Sequence, residues 1–172
     1  MERADTIKTA FERNAKAISL RLSVGQGTAK TTVTLRDGLT CEVEDGPWKM
    51  AVDLSIKSGG DAQAPDPGVY GRTALGSCLA IGYAMWAAKR GVTINSLVVE
   101  VQADYDSSGS HGVTDVPPGY RQVRYIVTID SDAPEADVMR VLDEADAHSA
   151  YRDVFTRAID LRREVRVAAT KR

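Results

Sequence analysis

The chain has 172 residues, with 22 Lys+Arg against 24 Asp+Glu and a formal net charge of −2. That length suits one compact domain over 1–172, and 43% hydrophobic against 27% charged residues supply a core and exclude the disordered class. So even a charge balance attracts no polyanion, and no nucleic-acid or membrane partner is expected. Two cysteines, Cys41 and Cys78, neither in a C-x-x-C pair, exclude a disulfide framework and a zinc finger. Met1–Asp5 has no apolar signal-like run, and the longest apolar stretch, Thr73 to Ala88, is too short for a membrane span, so the expected location is cytoplasmic.

Ile7, Phe11, Ile18 and Leu22 recur at helical intervals and predict an N-terminal extension over 1–22, an amphipathic helix running into a strand. Gly25-Gln26-Gly27 breaks that pattern as a hairpin end; it lacks phosphate-loop spacing. Strands follow on the alternation of Val33 and Leu35, then of Leu39, Cys41 and Val43. After the Glu44–Pro47 turn, Trp48, Met50, Val52, Leu54 and Ile56 share one face of a further strand. A Gly/Pro/Asp-rich loop, Ser58 to Gly68, leads to a helix over Val69 to Arg90 with few polar residues on any side. That helix must be enclosed by sheet or by a partner chain, and Gly91 closes it.

Leu97, Val99, Val101 and Ala103 predict the next strand, and Val123, Tyr125, Val127 and Ile129 another. Asp132-Ala133-Pro134-Glu135 reads as a helix start with an acidic N-cap. A short helix around Tyr151 to Ala158 and a terminal strand around Asp160 to Val167 complete an α+β order of (α)βββ-α-ββ-α-β. The basic run Arg157, Arg162, Arg163, Arg166, Lys171 and Arg172 is interrupted by Asp160 and Glu164 and reads as a solvated face. His111 and His148 stand apart, and no metal or cofactor is expected.

Cys78 is the residue with chemistry to offer. In mid-helix, with Ala74, Leu75, Ile81, Gly82 and Met85 expected on its side, it has the surroundings of a core thiol, and reactivity requires a cation brought from elsewhere. The run Pro67-x-x-x-x-Arg72-Thr73-Ala74-Leu75-Gly76-Ser77-Cys78-Leu79-Ala80 resembles the buried-helix motif of the OsmC/Ohr family of osmotically inducible and organic-hydroperoxide-resistance proteins. Asp53 with Gly59-Gly60, the run Gly91-Val92-Thr93-Ile94, the loop Asp115–Tyr120 and the helix start Ser131-Asp132-Ala133 extend the resemblance over most of the chain.

The resemblance implies a two-layer fold of antiparallel sheets around a long central helix, built as an intertwined homodimer. It implies that Cys78 is the thiolate that attacks a hydroperoxide and Arg36, in Arg36-Asp37-Gly38, the cation that stabilises it. The family's resolving cysteine falls at Ser149, and its helix-start glutamate at Gly68 or Val69, so two of four catalytic parts are replaced. Cys41, between Leu39 and Val43, reads as core. The expected activity is reduction of an organic hydroperoxide, with an external thiol as resolver and an apolar pocket near Met85 and Trp86. The alternative is a non-catalytic homodimer that binds a small apolar ligand.

Overall fold

The computed structural model describes residues 2–167. Its elements are α1 (Glu2–Leu20), β1 (Thr32–Leu35), β2 (Cys41–Asp45), β3 (Trp48–Val52), α2 (Pro67–Arg90), β4 (Ser96–Tyr105), α3 (Ser107–Ser110), β5 (Tyr120–Asp130), α4 (Glu135–Ala147) and α5 (Ala150–Thr156). The strands make two antiparallel sheets, one ordered β1-β2-β3 and one pairing β4 with β5. This is the expected α+β architecture about a long central helix.

The bounds of α2 follow from its ends. Asp66 accepts a hydrogen bond from the Val69 amide (3.0 Å), and Pro67 takes the first turn, where its missing N–H costs nothing. At the far end Gly91 adopts φ +71, the left-handed conformation that lets its amide bond the Ala87 and Ala88 carbonyls. Between these caps Leu75, Leu79 and Tyr83 are almost fully buried. Leu97, Val99 and Val101 of β4 and Val123, Tyr125 and Val127 of β5 pack on them, while α4 adds Leu142 and Ala145. Each fully buried Leu there contributes roughly 1.5–3 kcal/mol. α1 lies on the second half of α2, where Phe11 meets Trp86 edge-on at 5.2 Å.

Five expectations are corrected. Ile18–Leu22 is not a strand: α1 continues to Leu20 and ends in a 3-10 turn, because Phe11 holds the helical face on α2. Gly25–Gly27 therefore lies in a loop after a helix, not at a hairpin end. β3 stops at Val52 because Asp53 turns inward and accepts hydrogen bonds from the amides of Leu54 (2.7 Å), Gln63 (3.0 Å) and Asp61 (3.2 Å); Ile56 falls in a 3-10 turn. Asp132 does not cap α4: Pro134 stands at the N-cap, and Asp132 instead accepts from Asn95 (3.3 Å).

The segment Asp160–Val167 forms no strand and pairs with none of the described strands, and Leu161 is 96% exposed. Lys171 and Arg172 lie outside the described residues. Of the two covers expected for α2, sheet or a partner chain, the described residues supply the sheet on one side and leave Thr73, Ser77 and Ile81 as a row facing outward. No described helix is long and apolar enough to cross a membrane.

Candidate functional site

α2 places Cys78 one turn beyond the buried Leu75, half-buried, with its Sγ 3.6 Å from the Ser149 Oγ. These two residues are 71 positions apart, and the meeting depends on the break between α4 and α5. α4 ends when the His148 amide bonds the Ala145 carbonyl. Ser149 then adopts an extended backbone and caps α5, its Oγ accepting from the Arg152 amide (3.4 Å). One hydroxyl thus serves both as a helix cap and as the polar neighbour of the thiol.

A polar cluster pins this junction to the core. The Asp146 carboxylate accepts hydrogen bonds from the Tyr83 and Tyr125 hydroxyls, each at 2.7 Å, and Arg152 Nε lies 3.9 Å from it. Burial first, then the Asp146 hydrogen bond and charge, hold the Tyr83 phenol well above its ordinary pKa. Tyr125 is raised by the same leading cause, and the Tyr125 hydroxyl raises Arg152. At neutral pH the cluster therefore holds two neutral phenols on a carboxylate beside one guanidinium. It joins α2, β5, α4 and α5 at one point.

The structure does not bring Arg36 to Cys78 within one chain. The expected turn forms, with the Arg36 amide on the Thr40 carbonyl (2.8 Å) and Gly38 at φ +58. Its guanidinium, more than half exposed, is held by Glu42 through Nε (2.7 Å) and Nη2 (2.5 Å). Cys41 is a free, half-buried thiol in β2, opposite Leu35 and Val52. Met85 is half-buried on the side of α2 that carries Cys78. Trp86 is engaged in packing: Phe11 is on one side, His148 is 4.8 Å away, and the Lys89 ammonium lies 3.9 Å over its ring.

At the start of α2, Gly68 leaves a space already bounded by polar atoms. A Cβ there would come within 3.0 Å of Asp66 Oδ1, 3.1 Å of Arg72 Nη1 and 3.2 Å of the Tyr120 hydroxyl. Arg72 donates to that hydroxyl (3.2 Å), which donates to the Gly68 carbonyl (3.2 Å). Arg72 and Tyr120 therefore occupy the helix start, where the Asp66 cap is the acidic side chain and Gly68 and Val69 supply none.

A cleft of about 560 Å³ opens between Leu75 of α2, β5 and α5. Leu75, Val123 and Phe155 give it apolar walls, and Arg121, Tyr125 and Arg152 give it a polar end. Sequence reading alone overlooks these polar residues. One local signal was present: Arg152 stands three residues beyond a serine N-cap, whereas Arg121 is the residue skipped where the β4–β5 register shifts.

Residues 59–164 match the family model described as OsmC-like protein. The fold is shared with an OsmC-like protein from Mycoplasma pneumoniae, at 17% identity and a TM-score of 0.66 over 76% of this chain and 88% of that one. It is shared with an organic hydroperoxide resistance protein OsmC from Legionella pneumophila, at 11% identity and a TM-score of 0.54 over 76% and 90%. It is also shared with the organic hydroperoxide resistance protein OhrB of Bacillus subtilis, at 13% identity and a TM-score of 0.51 over 76% and 91%. No curated protein sequence matches the chain significantly.

Proposed function

The chain belongs to the OsmC-like protein family, and from that premise we propose that it reduces organic hydroperoxides through Cys78, in cytoplasmic defence against oxidative stress. The observation that carries this reading is the 3.6 Å approach of Cys78 Sγ to Ser149 Oγ, the two positions that the resemblance pairs as attacking and resolving groups. The Cys78 thiolate attacks the outer peroxide oxygen, the O–O bond breaks, and the alkoxide leaves as the alcohol after taking a proton. Cys78 becomes a sulfenic acid. A serine hydroxyl cannot form a disulfide, so an external thiol condenses with the sulfenic acid and releases water. A second thiol equivalent then frees Cys78 and leaves as the disulfide.

The same reading includes a homodimer. The outward row Thr73, Ser77 and Ile81 on α2 and the exposed apolar residues Val33, Leu35, Trp48 and Met50 of the β1–β3 sheet are surfaces that a second copy would cover. A hairpin laid over α2 of another copy would also carry Arg36 toward Cys78, where it would serve as the thiolate's cation.

The test is peroxide consumption by the full chain with cumene hydroperoxide and excess dithiothreitol, together with dimedone labelling and peptide mapping. The expected result is turnover, a dimedone adduct on Cys78, and loss of both in Cys78→Ser. In Ser149→Cys, one equivalent of hydroperoxide should instead yield a 78–149 disulfide. No turnover and no oxidation of Cys78 would overturn the proposal. The replaced glutamate and cysteine would then favour a homodimer that binds a small apolar ligand.

A further inference from the structure

The reading of Cys78 as a peroxide-reactive thiol leaves open which thiol restores it, and the cleft between Leu75, β5 and α5 bears on that point. Its lining carries two guanidinium groups, Arg121 and Arg152, and no carboxylate. Arg152 faces Asp146 at 3.9 Å, but that carboxylate already accepts from two tyrosine hydroxyls. Arg121 has no ion-pair partner among the described residues. Of the two acidic groups that feel its charge, Asp104 is bound to Arg124 at 2.6 Å and Asp106 to Ser108 at 2.7 Å.

The cleft is tied to the Cys78 region through two elements, although neither Cys78 nor Ser149 lines it. Its floor includes Leu75, one helical turn before Cys78, and one wall is α5, which begins at the serine touching Cys78. Its volume of about 560 Å³ lies within the range of small-molecule sites and cannot seat the ~800 Å² per partner of a stable protein–protein contact. Guanidinium groups are suited to carboxylates because their paired N–H donors match the two oxygens.

We propose that the Arg121–Arg152 cleft binds the carboxylate of a low-molecular-weight anionic thiol, the co-substrate that reduces Cys78 after oxidation. This rests on the peroxidatic reading of Cys78. With the carboxylate held at the arginines, the thiolate attacks the sulfenic sulfur, the S–O bond breaks, and hydroxide leaves as water after taking a proton. A second molecule of the same thiol attacks the mixed disulfide, and the net change is ROOH + 2 R′SH → ROH + R′SSR′ + H₂O. Ser149 leaves the sulfenic sulfur open to this incoming thiol.

The test uses the full chain with Cys41→Ser, so that Cys78 is the sole thiol, and two separated half-reactions. Cumene hydroperoxide oxidises Cys78, and dimedone reads the sulfenic acid. Mercaptosuccinate, 2-mercaptoethanol and cysteamine then reduce it, with rates compared per thiolate. The expected order is anionic, neutral, cationic, with mercaptosuccinate about tenfold ahead of 2-mercaptoethanol. That lead should shrink to about twofold in Arg121→Gln and at 0.5 M salt, and be partly kept in Arg121→Lys.

Equal rates for the three thiols, or an order indifferent to Arg121→Gln, would overturn the proposal. A charge preference for carboxylated over neutral hydroperoxides, with none among thiols, would also overturn it and assign the cleft to the peroxide. If no sulfenic acid forms, the peroxidatic reading fails separately. The cleft is then judged on a Cys78 mixed disulfide with 2-thiopyridine, where release of the chromophore by the three thiols needs no peroxide. The same charge order would support the cleft, and its absence, or failure of the disulfide to form, would overturn it.

Discussion

In β4 and β5, alternate residues from Leu97 to Val101 and from Val123 to Val127 press on Leu75, Leu79 and Tyr83. In β1 the same alternation leaves Val33 59% and Leu35 60% exposed, and the β1–β3 sheet has no extended packing against a helix among the described residues. It is tied to the rest near β3, where the Tyr70 hydroxyl donates to the Ala51 carbonyl (2.7 Å) and the Asp53 loop turns into α2. The contrast teaches that a period-two pattern marks a face built to be covered without saying what covers it. For β4–β5 the cover is α2 of the same chain. For β1–β3 the proposed cover is a second copy.

The comparison breaks most directly at Leu79, which is 1% exposed. Leu79→Ala should cost about 2–5 kcal/mol in urea unfolding, from lost burial and the cavity left behind. A loss below about 1 kcal/mol would mean that the α2 face is not the structural centre. Next in size is Tyr83→Phe, which removes one of the two phenols on Asp146. It should cost about 1.5–3 kcal/mol, the usual worth of a hydrogen bond to a charged group. The same variant should loosen the α4–α5 junction, read as faster amide exchange at Arg152, whose N–H caps onto Ser149.

On the other sheet, Leu35→Ser should change unfolding of the dilute single chain by about 0.5 kcal/mol or less. If a second copy covers that face, the same change should weaken self-association in sedimentation and flatten the dependence of Tm on protein concentration. No change in either measurement would leave the sheet facing solvent. The smallest effect concerns pH. The Gln63 amide foremost, with those of Leu54 and Asp61, holds the buried Asp53 carboxyl below its ordinary range. Its stabilisation is complete above the unfolded value of about 3.9 and disappears as pH falls through the lowered folded value. Asp53→Asn should therefore flatten the acid limb of the stability curve below about pH 4 and leave its slope near neutrality unchanged.

Much of the fold was legible before any coordinates. The Gly91 cap of α2, the strands β2, β4 and β5, and the two later helices were signalled by residues within a short run of chain, such as the left-handed Gly91 and the alternation of Val123, Tyr125 and Val127, whereas the Asp66 cap was not read. Legibility failed where two local readings competed. Ile18–Leu22 satisfied both helix and strand periods, and only the docking of Phe11 on Trp86 decided for helix. Asp160–Val167 carried a strand pattern, but a strand exists only with a neighbour, and among the described residues this segment pairs with none.

The site divides along the same line. Cys78 could be picked out by residue type and motif, and Ser149 by its place in the resemblance, because each is a property of a short run of chain. Their 3.6 Å contact, the Asp146 cluster and the arginine-lined cleft join residues from four elements. Such contacts leave no local sequence period. They arise when burial of the α2 face against β4, β5 and α4 brings distant polar side chains to one point, where each must find a partner or leave a buried group unpaired.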